Sequence, residues 1–121
     1  MANNTFTRDL RLLNSRDFDQ VFKNPVRASA QGMLVLAISN NLNKPRLGLV
    51  ISKKVLKRAV WRNRVKRIVR ETFRNSQDIL PKADLVFIAK PKIGDISNSE
   101  LSSSVKRLWN HVSHRLGNPQ S

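Results

Sequence analysis

The sequence predicts an α/β fold of the α+β sandwich kind: a small mixed central sheet packed with helices, in the order helix, strand, strand, helix, strand, helix. Three observations predict it. Three short apolar runs, MLVLAIS from Met33, RLGLVIS from Arg46 and DLVFIAK from Asp84, have the length and composition of strands. Three other segments space their apolar residues three and four apart, the period of a helix with one buried face. Finally, 121 residues without repeat, linker or low-complexity tract suit one core that needs no metal or disulfide staple, so residues 1–121 are expected to form a single domain.

Residues 1–13 are polar and basic, with Arg8 and Arg11, and the first ten read as a flexible lead-in. Ser15 is placed to cap the first helix. Asp17 suits the positive first turn there, and Phe18, Val21 and Phe22 share one face before Pro25 closes the segment. The runs 33–39 and 46–52 flank NNLNKP, a cluster of turn formers, and so predict an antiparallel hairpin. An amphipathic helix over 59–74 follows, then NSQDILPKA as a connection and the third strand, which makes a βαβ crossover. The last helix starts near Asn98, a candidate cap. It places Leu101, Val105, Leu108 and Val112 on one face and is stopped by Gly117.

Charge narrows the function classes. Lys plus Arg number 23 against 8 Asp plus Glu, a formal +15, which makes the chain a partner for polyanions, nucleic acid first. No apolar run approaches the roughly 20 residues of a membrane span, and MANNTFTRDLR lacks the apolar centre of a signal peptide, so no membrane partner and a cytoplasmic location are expected. The absence of cysteine fits a reducing compartment and excludes zinc knuckles and thiol chemistry. Tyr is absent too, so stacking on bases must use Phe, Trp or Arg planes.

Protein-borne catalysis finds little support. The carboxylates Asp9, Asp17, Asp19, Glu71, Asp78, Asp84, Asp95 and Glu100 are scattered, and Asp17 and Asp19 diverge on a helix. His111 and His114 can share a face but have no third ligand nearby. No GxSxG, Gly-rich phosphate loop or CxxC occurs.

The segment AVWRNRVKRIVRETFR, residues 59–74, holds six cations and one acid, Glu71. On a wheel of about 100° per residue, Trp61, Val65, Ile68 and Thr72 form a core stripe with Val69 beside it. Arg62, Asn63, Lys66, Arg67, Arg70 and Arg74 lie opposite, and Arg64 sits on the flank. A solvated face normally intersperses Glu with Lys at i, i+4; this one stacks like charge on like charge and so asks for an external anion. With Lys53, Lys54, Lys57 and Arg58 ahead of it, the window 53–74 carries ten cations and one acid. Arg outnumbers Lys on the helix, which favours forked donation to phosphate oxygens or base edges, and Asn63 between two arginines has the groups to bond a base or a sugar hydroxyl. Its ordinary alternative is a solvated amide.

SKK followed by AVWRNRVKRIVRETFR resembles the signature of the bacterial ribonuclease P protein subunit, with its Arg-Asn-Arg core, Lys-Arg pair and further Arg. RLLNSRDFDQVF, RLGLVISKK and DLVFIAKP also resemble that family, in the same order and spacing. The resemblance implies a non-catalytic subunit of an endoribonuclease. A large RNA with Mg2+, held mainly by that RNA, removes the 5′ leader of precursor tRNA, and the protein, one per RNA, binds both the RNA and the leader. It implies that Arg62, Asn63, Arg64, Lys66, Arg67 and Arg70, with Lys53 and Lys54, meet the catalytic RNA; Lys57, Arg58 and Arg74 extend that surface. It further implies a leader-binding cleft of Arg11, Phe18, Phe22 and the strand position Val35, and a left-handed βαβ crossover, against the usual preference for the right. From spacing alone Phe18 and Phe22 fit core packing as well as a base platform. A structural RNA-binding protein such as a ribosomal component is the alternative reading; a helix-turn-helix DNA binder fits less, because a strand follows the basic helix.

Overall fold

The computed structural model describes residues 10–12, 14–40, 42 and 44–116. The elements are α1 (Ser15–Lys23), β1 (Val26–Ala30), β2 (Met33–Ser39), β3 (Arg46–Val50), α2 (Ala59–Asn75), β4 (Ala83–Ala89) and α3 (Asn98–Arg115). The strands form one mixed sheet in the order β1-β2-β4-β3, with β3 and β4 parallel and the other pairs antiparallel. The expected α/β architecture and the crossover β3-α2-β4 are both present.

Three expectations about the sheet are corrected. An additional strand, β1, precedes the others; its sequence VRASA has too little apolar content to register as a strand, yet it pairs along its whole length with β2. Its turn requires glycine, because Gly32 has φ +76° and a Cβ there would lie 2.9 Å from the Ile93 backbone. The expected hairpin of β2 with β3 does not form, since β4 lies between them. Ala83 to Phe87 of β4 are buried, as suits a strand with a neighbour on each side and layers on both faces. β3 itself ends at Val50, two residues before the expected Ser52.

Alternation along the strands divides the interior into two cores. Met33, Val35, Ala37, Leu47, Leu85 and Phe87 face α2 and α3, packing with Val65, Ile68, Val69, Phe73, Leu101, Val105, Leu108 and Val112. Leu34, Leu36 and Val86 face α1 and pack with Val21, Leu12 and Phe18. Trp109 pins the two large helices together: its ring meets Phe73 edge-on with centroids 6.0 Å apart, and its Nε1–H donates to Thr72 Oγ1 at 3.1 Å.

Helix ends shift by one residue from the expected caps. Asn14, not Ser15, caps α1, its Oδ1 accepting from Asp17 N at 3.0 Å. Ser97, not Asn98, caps α3, its Oγ accepting from Glu100 N at 3.2 Å. Gly117 and residues 1–9 of the lead-in lie outside the described residues. Leu10 is already buried, Arg11 makes a parallel bridge with Leu47, and Leu12 N donates to Leu47 O at 2.9 Å, so the chain enters along the outer edge of β3.

Arg46 ties α1 to the sheet. Its Nε and Nη2 donate to Asp84 Oδ1 and Oδ2 at 2.9 and 2.8 Å, and its Nη1 donates to Asp17 Oδ2 at 3.4 Å. Asn40 Nδ2 adds a 2.8 Å bond to the buried Asp84. The hydrogen bonds with Asp84 raise the Arg46 pKa above its ordinary value, outweighing the opposing effect of burial.

Candidate nucleic-acid interface

The basic ridge is held rigidly because one side of α2 is core. Val65, Ile68, Val69, Thr72 and Phe73 are buried, while Asn63, Arg67 and Arg70 are exposed and Arg62, Arg64, Lys66 and Arg74 half-buried. The helix has 17 residues and so runs about 25 Å. Its N-cap, Arg58, makes no side-chain cap bond and its first turn holds no acid, so the positive end of the helix dipole adds to the cations around it. Lys66, Arg67 and Arg74 make no ion pair among the described residues.

Arg62 and Arg64 of the expected RNA-binding set also brace the fold. Arg62 Nη1 donates to Leu56 O at 2.8 Å and Lys57 O at 2.9 Å, clamping the turn that precedes the helix. On that turn Lys53, Lys54 and Lys57 are exposed, and Leu56 is anchored in the core with its N donating to Ser52 O at 3.1 Å. Arg64 Nη2 donates to Ile96 O at 3.0 Å and its Nη1 to Asn98 Oδ1 at 2.9 Å, fixing the start of α3 against α2. These acceptors are neutral, so both guanidinium groups keep their full charge at the surface of the ridge. The 34-residue separation of Arg64 from Asn98 left no local signal in the sequence.

Trp61 departs from the expected core stripe: it is 46% exposed. The wheel angle is right, but burial along α2 begins only at Val65, one turn later, so the first turn overhangs the core. The Arg58 guanidinium lies 5.3 Å from the Trp61 ring centroid.

The second group of candidates meets on the other side of β3. Phe18 lies against Gly48, where even a Cβ would come within 2.5 Å of the ring, and Phe22 is 45% exposed. Each ring thus keeps part of its surface open beside the sheet. Arg11, Phe18, Gly48, Lys66 and Arg70 line one groove, so the aromatic cleft and the basic helix are contiguous. Val35 is a correction: it is fully buried and faces α2 and α3, on the opposite side of the sheet from Phe18. In its place the α1 face offers Leu34, Ile88 and Val50, which lie in one cross-strand row, with Val50 exposed. From Met33 to Ile38 every position of the run is apolar, so no alternation marks which parity faces which layer, and this row was not readable from the sequence.

Among the described residues no three His, Cys, Asp or Glu side chains come together, and no helix is long and apolar enough to cross a membrane.

Comparison with known proteins bears on this geometry. The family model described as Ribonuclease P matches residues 6–113. A ribonuclease P protein component of Haemophilus influenzae is 50% identical over 109 residues, covering 90% of this chain and 92% of the relative. Among solved structures, the chain is similar to a Staphylococcus aureus RNase P protein mutant with defective mRNA degradation activity, with TM-score 0.81, 25% identity and coverage of 86% of this chain and 88% of that one. It is also similar to the RNase P protein of Thermotoga maritima, with TM-score 0.66, 32% identity and coverage of 80% and 96%. These matches do not favour the alternative reading as a ribosomal component.

Proposed function

The chain belongs to the ribonuclease P protein component family, and from that premise we propose that its basic ridge binds the catalytic RNA of the holoenzyme while the Phe18–Phe22 groove takes the 5′ leader of precursor tRNA. The observation that carries this reading is the shared groove, in which Lys66 and Arg70 of the ridge stand beside Arg11 and Phe18. A strand of RNA leaving the tRNA body can pack its bases on the exposed parts of the Phe18 and Phe22 rings and on Ile88 and Val50 beside them while its phosphates meet cations of the same wall. Lys53, Lys54, Lys57, Arg58, Arg62, Asn63, Arg64, Lys66, Arg67, Arg70 and Arg74 form the surface for the larger RNA.

The protein's contribution is electrostatic and positional. A +15 chain placed between two polyanions lowers their repulsion and so strengthens substrate and Mg2+ binding at ordinary salt. We assign the magnesium ion and the cleavage step to the RNA, with the protein supplying charge and position rather than the reacting groups. One protein per RNA and a cytoplasmic setting go with this assignment. Reconstitution tests it: at low Mg2+, adding the protein to a bacterial ribonuclease P RNA and precursor tRNA should raise 5′ cleavage, and protein without RNA should cleave nothing. Equal cleavage with and without the protein would refute the reading.

A further inference from the structure

We propose that Trp61 is a stacking platform for an unpaired base of the RNA that the ridge binds. The proposal rests on the RNA-binding reading above and extends it from phosphate contacts to a base contact. Trp61 and Trp109 divide sharply by environment: Trp109 is fully buried and hydrogen-bonded to Thr72, whereas Trp61 leaves nearly half its surface in solvent and contributes nothing to either core. An isolated exposed apolar side chain is ordinary. This one is not isolated from charge, because Arg58 lies over its ring at 5.3 Å, and Lys57 and Arg62 are close to it along the chain. The guanidinium limits the orientations of the indole, reducing the entropy lost on stacking, and a cation on one side of a ring suits an electron-rich partner on the other. The neighbouring Val60, 65% exposed, widens the apolar step at the head of the helix.

The surroundings select the occupant. A hydrophobic segment of protein would have to approach through the densest cationic region of the chain, ten cations in residues 53–74, without neutralising it. An unpaired nucleotide brings a π-face for the indole and a phosphate for Arg58, Lys57 or Arg62 in one unit.

The fluorescence of the intact protein provides the test, since Trp109 is shielded and a change on binding reports Trp61. A transcribed bacterial ribonuclease P RNA should quench the emission and protect the ring from acrylamide, whereas inorganic polyphosphate, which offers charge without bases, should bind with neither effect. Trp61→Ala should weaken RNA binding roughly 5- to 100-fold with an unaltered salt slope, and Trp61→Phe should retain most of the affinity. Retained Trp109 emission certifies the fold of each variant. Equal quenching by polyphosphate, or an affinity of Trp61→Ala within about twofold of the parent, would overturn the stacking proposal while leaving the ridge intact. Absence of any salt-sensitive RNA binding by the parent protein would overturn the RNA-binding reading as well.

Discussion

Asp84 is a carboxylate withdrawn into the sheet, and Arg46 is what makes its burial tolerable. Removing one member of such a pair leaves the other charged and desolvated, so Arg46→Ala should destabilise the fold by about 3 kcal/mol in urea unfolding. The Arg46 pKa is raised, so its contribution is complete at neutral pH and is lost only as pH rises through the folded-state value, on the far alkaline side. The stabilisation from this pair should therefore not vary with its guanidinium around neutrality. Gly48 governs a different property. A methyl group there would collide with Phe18, so Gly48→Ala should cost about 1–3 kcal/mol and push the ring out of its seat. Affinity for a precursor tRNA bearing a leader should then fall more than affinity for mature tRNA, measured in the reconstituted complex.

At the level of single elements, α2 separates charge that acts outward from charge that also braces the fold. Arg67 has no ion-pair partner among the described residues, so Arg67→Ala should leave stability within about 0.5 kcal/mol and flatten the dependence of log K on log[salt] by about 0.7–0.9. Arg64→Ala should flatten it similarly and also cost about 1 kcal/mol, because Ile96 O and Asn98 Oδ1 lose their donor. This split also marks what sequence could convey. Helix faces were legible because polar residues interrupt the apolar stripe: Val65, Ile68, Val69 and Thr72 of α2 and Leu101, Val105, Leu108 and Val112 of α3 all lie where periodicity places them. Strand neighbours were not: the turn formers NNLNKP argue for a β2–β3 hairpin and nothing local marks β4 as the strand between them, while the run around Val35, apolar on both faces, has no parity against which its resemblance-based placement could be checked. Periodicity also has no knowledge of where a core ends, and Trp61 falls just beyond it.

For the whole molecule, the segregation of charge matters more than its total. If about six side chains of α2 each neutralise a phosphate, that helix alone should give a salt slope of roughly −4 to −5. A slope near zero in filter binding would contradict the ridge as the RNA surface. The layers that present the ridge depend on how the sheet is finished on its β3 side. The bond from Leu12 N to Leu47 O covers a row of backbone groups that would otherwise invite another strand. Trimming the chain through residue 12 should therefore do more than delete Arg11: it should give the molecule an adhesive border, visible in sedimentation as self-association that grows with protein concentration.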